Sequence, residues 1–170
     1  MKTKLLTITL SVILLLAACT PAAPAAPATF SDPFAYCKAV GTIDQPDARY
    51  TGEAQPQAVA EALKKALGVP ADAPMVGMVW RCVNGSVLAC TVGANLPCQS
   101  KANTDKTPSE AEAAFCKENP TSDFIPAAVT GHDTIYAWKC DNGTAVAGEQ
   151  VFNVDDQGFV KEIWYTLPNP

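Results

Sequence analysis

The chain contains the stretch Trp80-Arg81-Cys82-Val83-Asn84-Gly85-Ser86 and repeats it, with Trp, Cys, Asn and Gly unchanged, as Trp138-Lys139-Cys140-Asp141-Asn142-Gly143-Thr144. In both copies a basic residue lies between Trp and Cys, an alternation that is typical of a strand with one buried face. Asn-Gly favours a type I′ turn, because both central residues of that turn need a positive φ. Each copy therefore predicts a β-hairpin in which Trp and Cys face the core, whereas Arg81 and Lys139 face away from it.

A second short motif precedes each hairpin. Ala35-Tyr36-Cys37-Lys38 recurs as Ala114-Phe115-Cys116-Lys117. Each motif lies in a predicted helix, the first beginning at Pro33 and the second at a predicted capping box, Thr107-Pro108-Ser109-Glu110. The same two motifs in the same order favour duplication of one helix-plus-hairpin unit.

The two degenerate repeats cover residues 31–100 and 107–168, approximately. The first repeat also contains an amphipathic helix from about Pro56 to Leu67, and a last strand is predicted from Phe159 to Leu167. Together these elements predict an α+β fold, with an antiparallel sheet of about five strands and about three helices on one face. A chain of this length can bury most of its apolar surface in one core, so residues 31–170 are predicted to form a single domain.

The chain has seven cysteines, and six of them lie in the predicted domain. An even number of cysteines in an exported domain predicts three disulfides. Equivalent cysteines of the two repeats are expected to pair equivalently, which gives Cys37–Cys82 and Cys116–Cys140. The two remaining cysteines are close in sequence and are expected to close a short loop as Cys90–Cys98. Pairing exchanged between the repeats is the alternative.

The N-terminus carries an export pattern. Two lysines precede an apolar run from Leu5 to Leu16, and the run leads into Leu16-Ala17-Ala18-Cys19. This run is short for a membrane-spanning helix. The pattern resembles the signal of bacterial lipoproteins, which implies that residues 1–18 are removed and that Cys19 receives lipid.

Residues 19–30 are rich in Pro and Ala after the cysteine, a composition that predicts an extended tether of about 3 Å per residue. The resemblance implies an exported, membrane-anchored lipoprotein, either in the outer membrane facing the periplasm or at the cell surface. The residue after Cys19 is Thr20 and not an aspartate, and this resembles lipoproteins that are sorted to the outer membrane. Because the other six cysteines form three pairs, Cys19 is the odd cysteine, as a lipid-bearing residue would be.

The chain that remains after residue 18 is acidic, with 10 basic and 17 acidic side chains. Binding to nucleic acid or to anionic lipid headgroups requires clustered Lys and Arg. We therefore expect no nucleic-acid partner, and we expect membrane attachment through lipid at Cys19. One histidine and no Cys-x-x-Cys motif argue against a metal site, and no cofactor is predicted.

The loop between Cys90 and Cys98 is the candidate binding loop. A disulfide would present it to a partner at low conformational entropy; its predicted contact residues are Gly93, Ala94, Asn95, Leu96 and Pro97. Local reinforcement of a weak hairpin is the other interpretation of this disulfide, and it is the favoured one. Trp164, on the more polar face of the last predicted strand, is a second candidate contact residue, whereas Trp80 and Trp138 are predicted to belong to the core.

These features favour a non-enzymatic envelope module that binds or inhibits a protein, peptide or glycan. The Trp-Lys-Cys-Asp-Asn-Gly strand (138–143) and the lipid anchor are similar to those of membrane-bound lysozyme-inhibitor lipoproteins, although two helix-plus-hairpin repeats differ from the small barrels of that family. One alternative is an envelope hydrolase with His132 as general base beside Asp133. The other is a structural lipoprotein without a specific ligand.

Overall fold

The computed structural model describes residues 28–91 and 96–169. The predicted signal peptide, Cys19 and nearly all of the tether lie outside these residues, as do Gly93, Ala94 and Asn95. Lipid attachment at Cys19 therefore stays a prediction. In the described ranges, every helix is too short or too polar to cross a membrane.

The described residues form an α+β fold with four α-helices and five strands, which confirms the predicted class. The helices are α1 (Pro33–Val40), α2 (Gln57–Leu67), α3 (Glu110–Glu118) and α4 (Ala127–Thr130). The strands are β1 (Met78–Val83), β2 (Ser86–Thr91), β3 (Tyr136–Asp141), β4 (Thr144–Gln150) and β5 (Tyr165–Thr166).

The strands are all antiparallel and form two sheets, one of order β1-β2-β5 and one of β3-β4, where we expected a single sheet. Each hairpin is the centre of its own sheet. The predicted last strand is interrupted by a 3₁₀ turn at Lys161–Ile163, so that only Tyr165 and Thr166 pair with β2. A two-residue strand cannot bridge the two hairpins into one sheet.

Both Asn-Gly turns have the predicted conformation. Asn84 and Gly85 have φ values of 51° and 80°, and Asn142 and Gly143 have 50° and 81°. These positive values are those of a type I′ turn. The turns align Cys82 with Val87 across the first hairpin and place the two tryptophans of the motif on the inner face.

All three disulfides have the predicted pairing. Cys37–Cys82 joins α1 to β1, and Cys116–Cys140 joins α3 to β3, with Cα atoms 5.1 and 5.3 Å apart. Each half of the molecule therefore has a helix bonded to the first strand of its hairpin. The correspondence agrees with the proposed duplication, which stays a prediction.

Three apolar clusters make up the core. The first lies between α1, α2 and β1, and the third lies between α3 and the second hairpin. The middle cluster packs the two halves together, and its buried members are Cys90, Cys98, Ile135, Val160 and Ile163. Trp80 and Trp138 are 4% and 5% exposed, which confirms their predicted place in the core.

Arg81 lies on the face of β1 opposite Trp80 and Cys82, as predicted, but that face is not exposed to solvent. The Arg81 side chain is fully buried, because the chain segment 155–164 folds over the outer face of β1 and covers it. Lys139, at the equivalent position of the other hairpin, is exposed. Period-two alternation identifies the face of a strand but not whether a distant segment covers that face.

Two boundaries also differ from expectation. The capping residue of α3 is Ser109, whose hydroxyl accepts a hydrogen bond from the Glu112 amide, rather than Thr107. Asp105 accepts a hydrogen bond from the Thr107 amide and so keeps that residue outside the helix. Phe30, assigned to the tether, pairs with Tyr50 and packs on the first cluster.

Candidate functional site

Leu96 and Pro97, from the predicted binding loop, lie beside an apolar groove of about 380 Å³. We call it the Phe124 groove, after the most exposed of its apolar side chains. Its principal lining residues come from four separate segments and are Leu96, Phe124, His132, Trp138, Val151 and Phe152. The structure thus places part of the predicted loop in the wall of a preformed groove.

The groove contains half of the large apolar side chains that are exposed among the described residues. There are eight such side chains, and the four that line the groove are Leu96 (39%), Phe124 (66%), Val151 (47%) and Phe152 (40%). Single exposed apolar residues are common, but several in one concave surface mark an interaction site.

Hydrogen bonds hold Phe124 at the edge of the second sheet. The Ile125 amide donates to the Trp138 carbonyl at 2.7 Å, and the Cys140 amide donates to the Ser122 carbonyl at 2.8 Å. Residues 122–125 therefore run along β3 as an irregular extra strand. Because neighbouring residues of an extended segment face opposite sides, Ile125 is buried and Phe124 is exposed.

A backbone hydrogen bond and a disulfide hold the walls that carry Phe152 and Leu96. The chain continues past β4, and the Val151 amide donates to the Ile135 carbonyl at 2.8 Å, which positions Phe152. Leu96 immediately precedes Pro97 and Cys98, and the Cys90–Cys98 disulfide is buried in the middle cluster. The groove is therefore supported on two sides by backbone pairing and on a third by a covalent bond.

The charge of the protein is concentrated in the half that bears the groove. Residues 103–169 contain eleven acidic and four basic side chains, a formal charge of −7, whereas residues 28–102 contain six of each. Asp123 lines the groove directly. The groove is thus an apolar surface within a strongly negative half.

His132 is exposed and lines the same groove, after the short helix α4 ends at Gly131. The carboxylate of Asp133 folds back over Gly131, where an added Cβ would lie 2.8 Å from Oδ1. Among the described residues, no hydrogen bond joins His132 to Asp133. The described ranges also contain no group of three or more His, Cys, Asp or Glu placed to hold a metal ion.

Trp164, the other predicted contact residue, is partly exposed and lines a different and larger cleft of about 750 Å³. We call this the Trp164 cleft; the residues used to define it are Asp44, Asp47, Tyr50, Trp80, Phe159 and Trp164. Most of its lining comes from the first half of the molecule, whereas Phe159 and Trp164 come from the second. The structure therefore places Trp164 and the described loop residues, Leu96 and Pro97, in the walls of different cavities.

Arg81 holds the aromatic wall of this cleft. Its guanidinium carbon lies 4.2 Å from the ring centre of Phe159 and 4.4 Å from that of Trp164. The guanidinium also forms an ion pair with Asp155 through Nη2. Arginine suits this position because its planar guanidinium stacks on aromatic rings while it donates to a carboxylate.

The pKa values of three groups near the cleft are shifted. Burial raises the pKa of Asp155, but hydrogen bonds from Arg81 and from the Phe159 and Gln157 amides outweigh it, and the pKa is lowered overall. Hydrogen bonds from Arg49 lower the pKa of Asp47 to about 2. Burial raises the pKa of Tyr50, so its phenol remains a neutral hydroxyl.

Comparison of the chain with known protein families, with curated proteins and with solved structures finds no match to any of them.

Proposed function

We propose that this chain is a lipid-anchored protein of the bacterial envelope that binds an extended apolar segment of another polypeptide in the Phe124 groove, without catalysing a reaction. The single observation that carries the proposal is the convergence of four exposed apolar side chains, from three separate segments, on one groove. Removing such side chains from water on binding is favourable in proportion to their apolar area.

The rigidity of the groove supports the same conclusion. Backbone hydrogen bonds hold the segments of Phe124 and Phe152, and the Cys90–Cys98 disulfide limits the motion of Leu96. A partner then binds without a large cost for ordering loops on this side of the interface. Aromatic side chains in preformed pockets are also the usual energetic centres of protein interfaces.

Charge specifies the partner further. The half that bears the groove has a formal charge of −7, so a segment with Lys or Arg beside its apolar residues is favoured over an acidic one. Long-range attraction raises the association rate of such a partner and is screened by salt. We therefore propose a basic and apolar polypeptide segment as the ligand.

Selection of peptides from a random library tests this proposal, with the purified lipoprotein as bait. We expect enriched peptides that combine apolar residues with Lys or Arg. Phe124→Ala and Phe152→Ala should each weaken their binding about tenfold or more, because each removes a large apolar contact. Affinity is measured by isothermal titration calorimetry.

Val76→Ala is the matched control, because Val76 is 74% exposed and does not line the groove. Its affinity for the peptides should equal that of the wild type. Failure to enrich any peptide family would refute the proposal. It would favour the alternative of a structural lipoprotein without a specific ligand. Hydrolysis of the peptides that stops in His132→Ala would support the envelope hydrolase instead.

Lipid attachment is tested separately. Cells that express the full chain and are fed an alkyne analogue of palmitate should label the wild-type protein and leave Cys19→Ser unlabelled, because the thiol is the predicted attachment point. Fluorescence after coupling of the alkyne to a dye is the readout. Label that persists in Cys19→Ser would place the lipid elsewhere.

A further inference from the structure

We propose that the Trp164 cleft binds a neutral carbohydrate, with a sugar ring stacked against the aromatic wall. This inference does not rest on the proposed function, since the cleft and the Phe124 groove have no lining residue in common among the described residues.

Aromatic residues line the cleft on two sides; Tyr50 and Trp164 are partly exposed, whereas Trp80 and Phe159 are buried behind them. Tyr50 and Trp80 pack edge to face with ring centres 4.8 Å apart, and Phe159 and Trp164 do the same at 5.5 Å. The C–H face of a sugar ring is apolar and its rim is polar, so a sugar stacks on an aromatic ring and still uses its hydroxyls. Amphipathic aromatic side chains suit a surface that is apolar at one point and polar at the next.

Side chains that donate or accept hydrogen bonds surround these rings. Three exposed amide side chains, those of Gln45, Gln55 and Gln99, line the cleft. An amide both donates and accepts hydrogen bonds, as a sugar hydroxyl does. Asp44 and Asp47 add acceptors at the same rim. The cleft therefore offers hydrogen-bonding groups to a ring of hydroxyls around an aromatic floor.

Charge pairing argues for a neutral ligand. Asp44 is paired with Lys101, and Asp47 is paired with Arg49. The guanidinium behind the aromatic wall is paired in turn with Asp155. Each acidic side chain that lines the cleft thus has its own cation, so no uncompensated charge is available for an ionic ligand.

Two residues that line the cleft, Tyr50 and Trp164, each have a buried polar atom without a hydrogen-bond partner, and Arg81, which lies behind the aromatic wall and does not line the cleft, has two. In the described residues, these four are all the buried side-chain polar atoms that lack a partner. Folded proteins rarely leave such atoms unpaired, because their desolvation is unfavourable. An apolar side chain at position 81 would avoid this cost, but it would not stack on Phe159 and Trp164 as a guanidinium does. The Arg81 guanidinium therefore orients the Phe159 and Trp164 rings, although two of its nitrogens have no hydrogen-bond partner.

Titration with neutral trisaccharides of glucose and of N-acetylglucosamine tests the inference. The protein is the full lipoprotein, purified in a detergent that has no sugar headgroup. Calorimetry measures the binding of each trisaccharide. We expect saturable binding of at least one trisaccharide. Trp164→Ala should weaken that binding about tenfold or more, Trp164→Phe should weaken it less, and Gln99→Ala should weaken it severalfold.

Phe124→Ala is the control, because it should leave carbohydrate binding unchanged while it weakens binding of the selected peptides. Gln99 and Gln55 are exposed, so their alanine variants keep the test valid even where Trp164→Ala does not fold. Absence of saturable binding at millimolar trisaccharide would overturn the inference. So would affinity unchanged in both Trp164→Ala and Gln99→Ala, or tighter binding of a uronic acid trisaccharide.

Discussion

Asp155→Asn is expected to lower the free energy of unfolding by about 3 kcal/mol or more, because it leaves the Arg81 guanidinium buried without its counter-ion. The Arg81 side chain has no exposed surface, so water cannot replace the lost partner. The asparagine keeps Oδ1, the atom that accepts hydrogen bonds from the Gln157 and Phe159 amides. The variant therefore tests the ion pair rather than the turn. Unfolding in urea, followed by tryptophan fluorescence, measures the loss.

Asp156→Asn is the matched control, because Asp156 is the next residue and is exposed. Its effect should lie within about 0.5 kcal/mol of zero. The double variant Arg81→Met with Asp155→Asn should be more stable than Asp155→Asn alone, since it removes the unpaired charge. Equal stability of the Asp155 and Asp156 variants would show that the buried pair contributes nothing.

The same pair predicts the direction of the pH dependence. The pKa of Asp155 is lower in the folded protein than its ordinary value, so the folded state favours the carboxylate. Its stabilisation is fully present above about pH 4 to 5 and is lost as the pH falls through the folded pKa. The wild type should therefore lose stability in acid more steeply than Asp155→Asn. Parallel curves for the two proteins would contradict this assignment.

Replacing both Cys37 and Cys82 by alanine is expected to cost about 4 kcal/mol, the largest loss among the three disulfides. The two cysteines are 45 residues apart, against 24 for Cys116–Cys140 and 8 for Cys90–Cys98. A longer closed loop removes more entropy from the unfolded chain. The three double-alanine variants should therefore rank in this order in urea unfolding.

The Cys90–Cys98 variant serves as the internal comparison. Its expected loss of stability is the smallest, about 2.5 kcal/mol on the same entropic estimate. It should nevertheless lose more affinity for the selected peptides than the other two variants, because this disulfide holds Leu96 and Pro97 at the Phe124 groove. A stability loss larger than that of the Cys37–Cys82 variant would contradict the loop-length explanation.

The local elements were predictable because their signals are contained in short stretches of sequence. An Asn-Gly pair between two strands favours a type I′ turn, and the side chains of Asp32 and Ser109 cap helices by accepting hydrogen bonds from amides three residues on. The disulfide pairing followed from the repeated motifs, since equivalent positions in two similar units have equivalent neighbours.

The candidate sites were predictable only in part. Leu96 and Trp164 are candidate contact residues on local features alone, a loop closed by a disulfide and a tryptophan on a polar face. Phe124 was missed, because its exposure depends on the pairing of residues 122–125 with β3. Its one sequence signal was a phenylalanine between Asp123 and Ile125 in an otherwise polar connection. That signal does not distinguish an exposed aromatic residue from a buried one.

By itself, the sequence determined the two hairpins, the three disulfides and the acidic character of residues 103–169, since each depends on residue type, short-range spacing or repetition. Only the tertiary structure decided that Arg81 is buried and that four segments meet at the Phe124 groove. Arg81 and Asp155 are 74 residues apart, and no local pattern encodes that contact. Contacts of this kind arise when the two halves pack through the middle cluster, and packing depends on the shapes of all the surfaces at once.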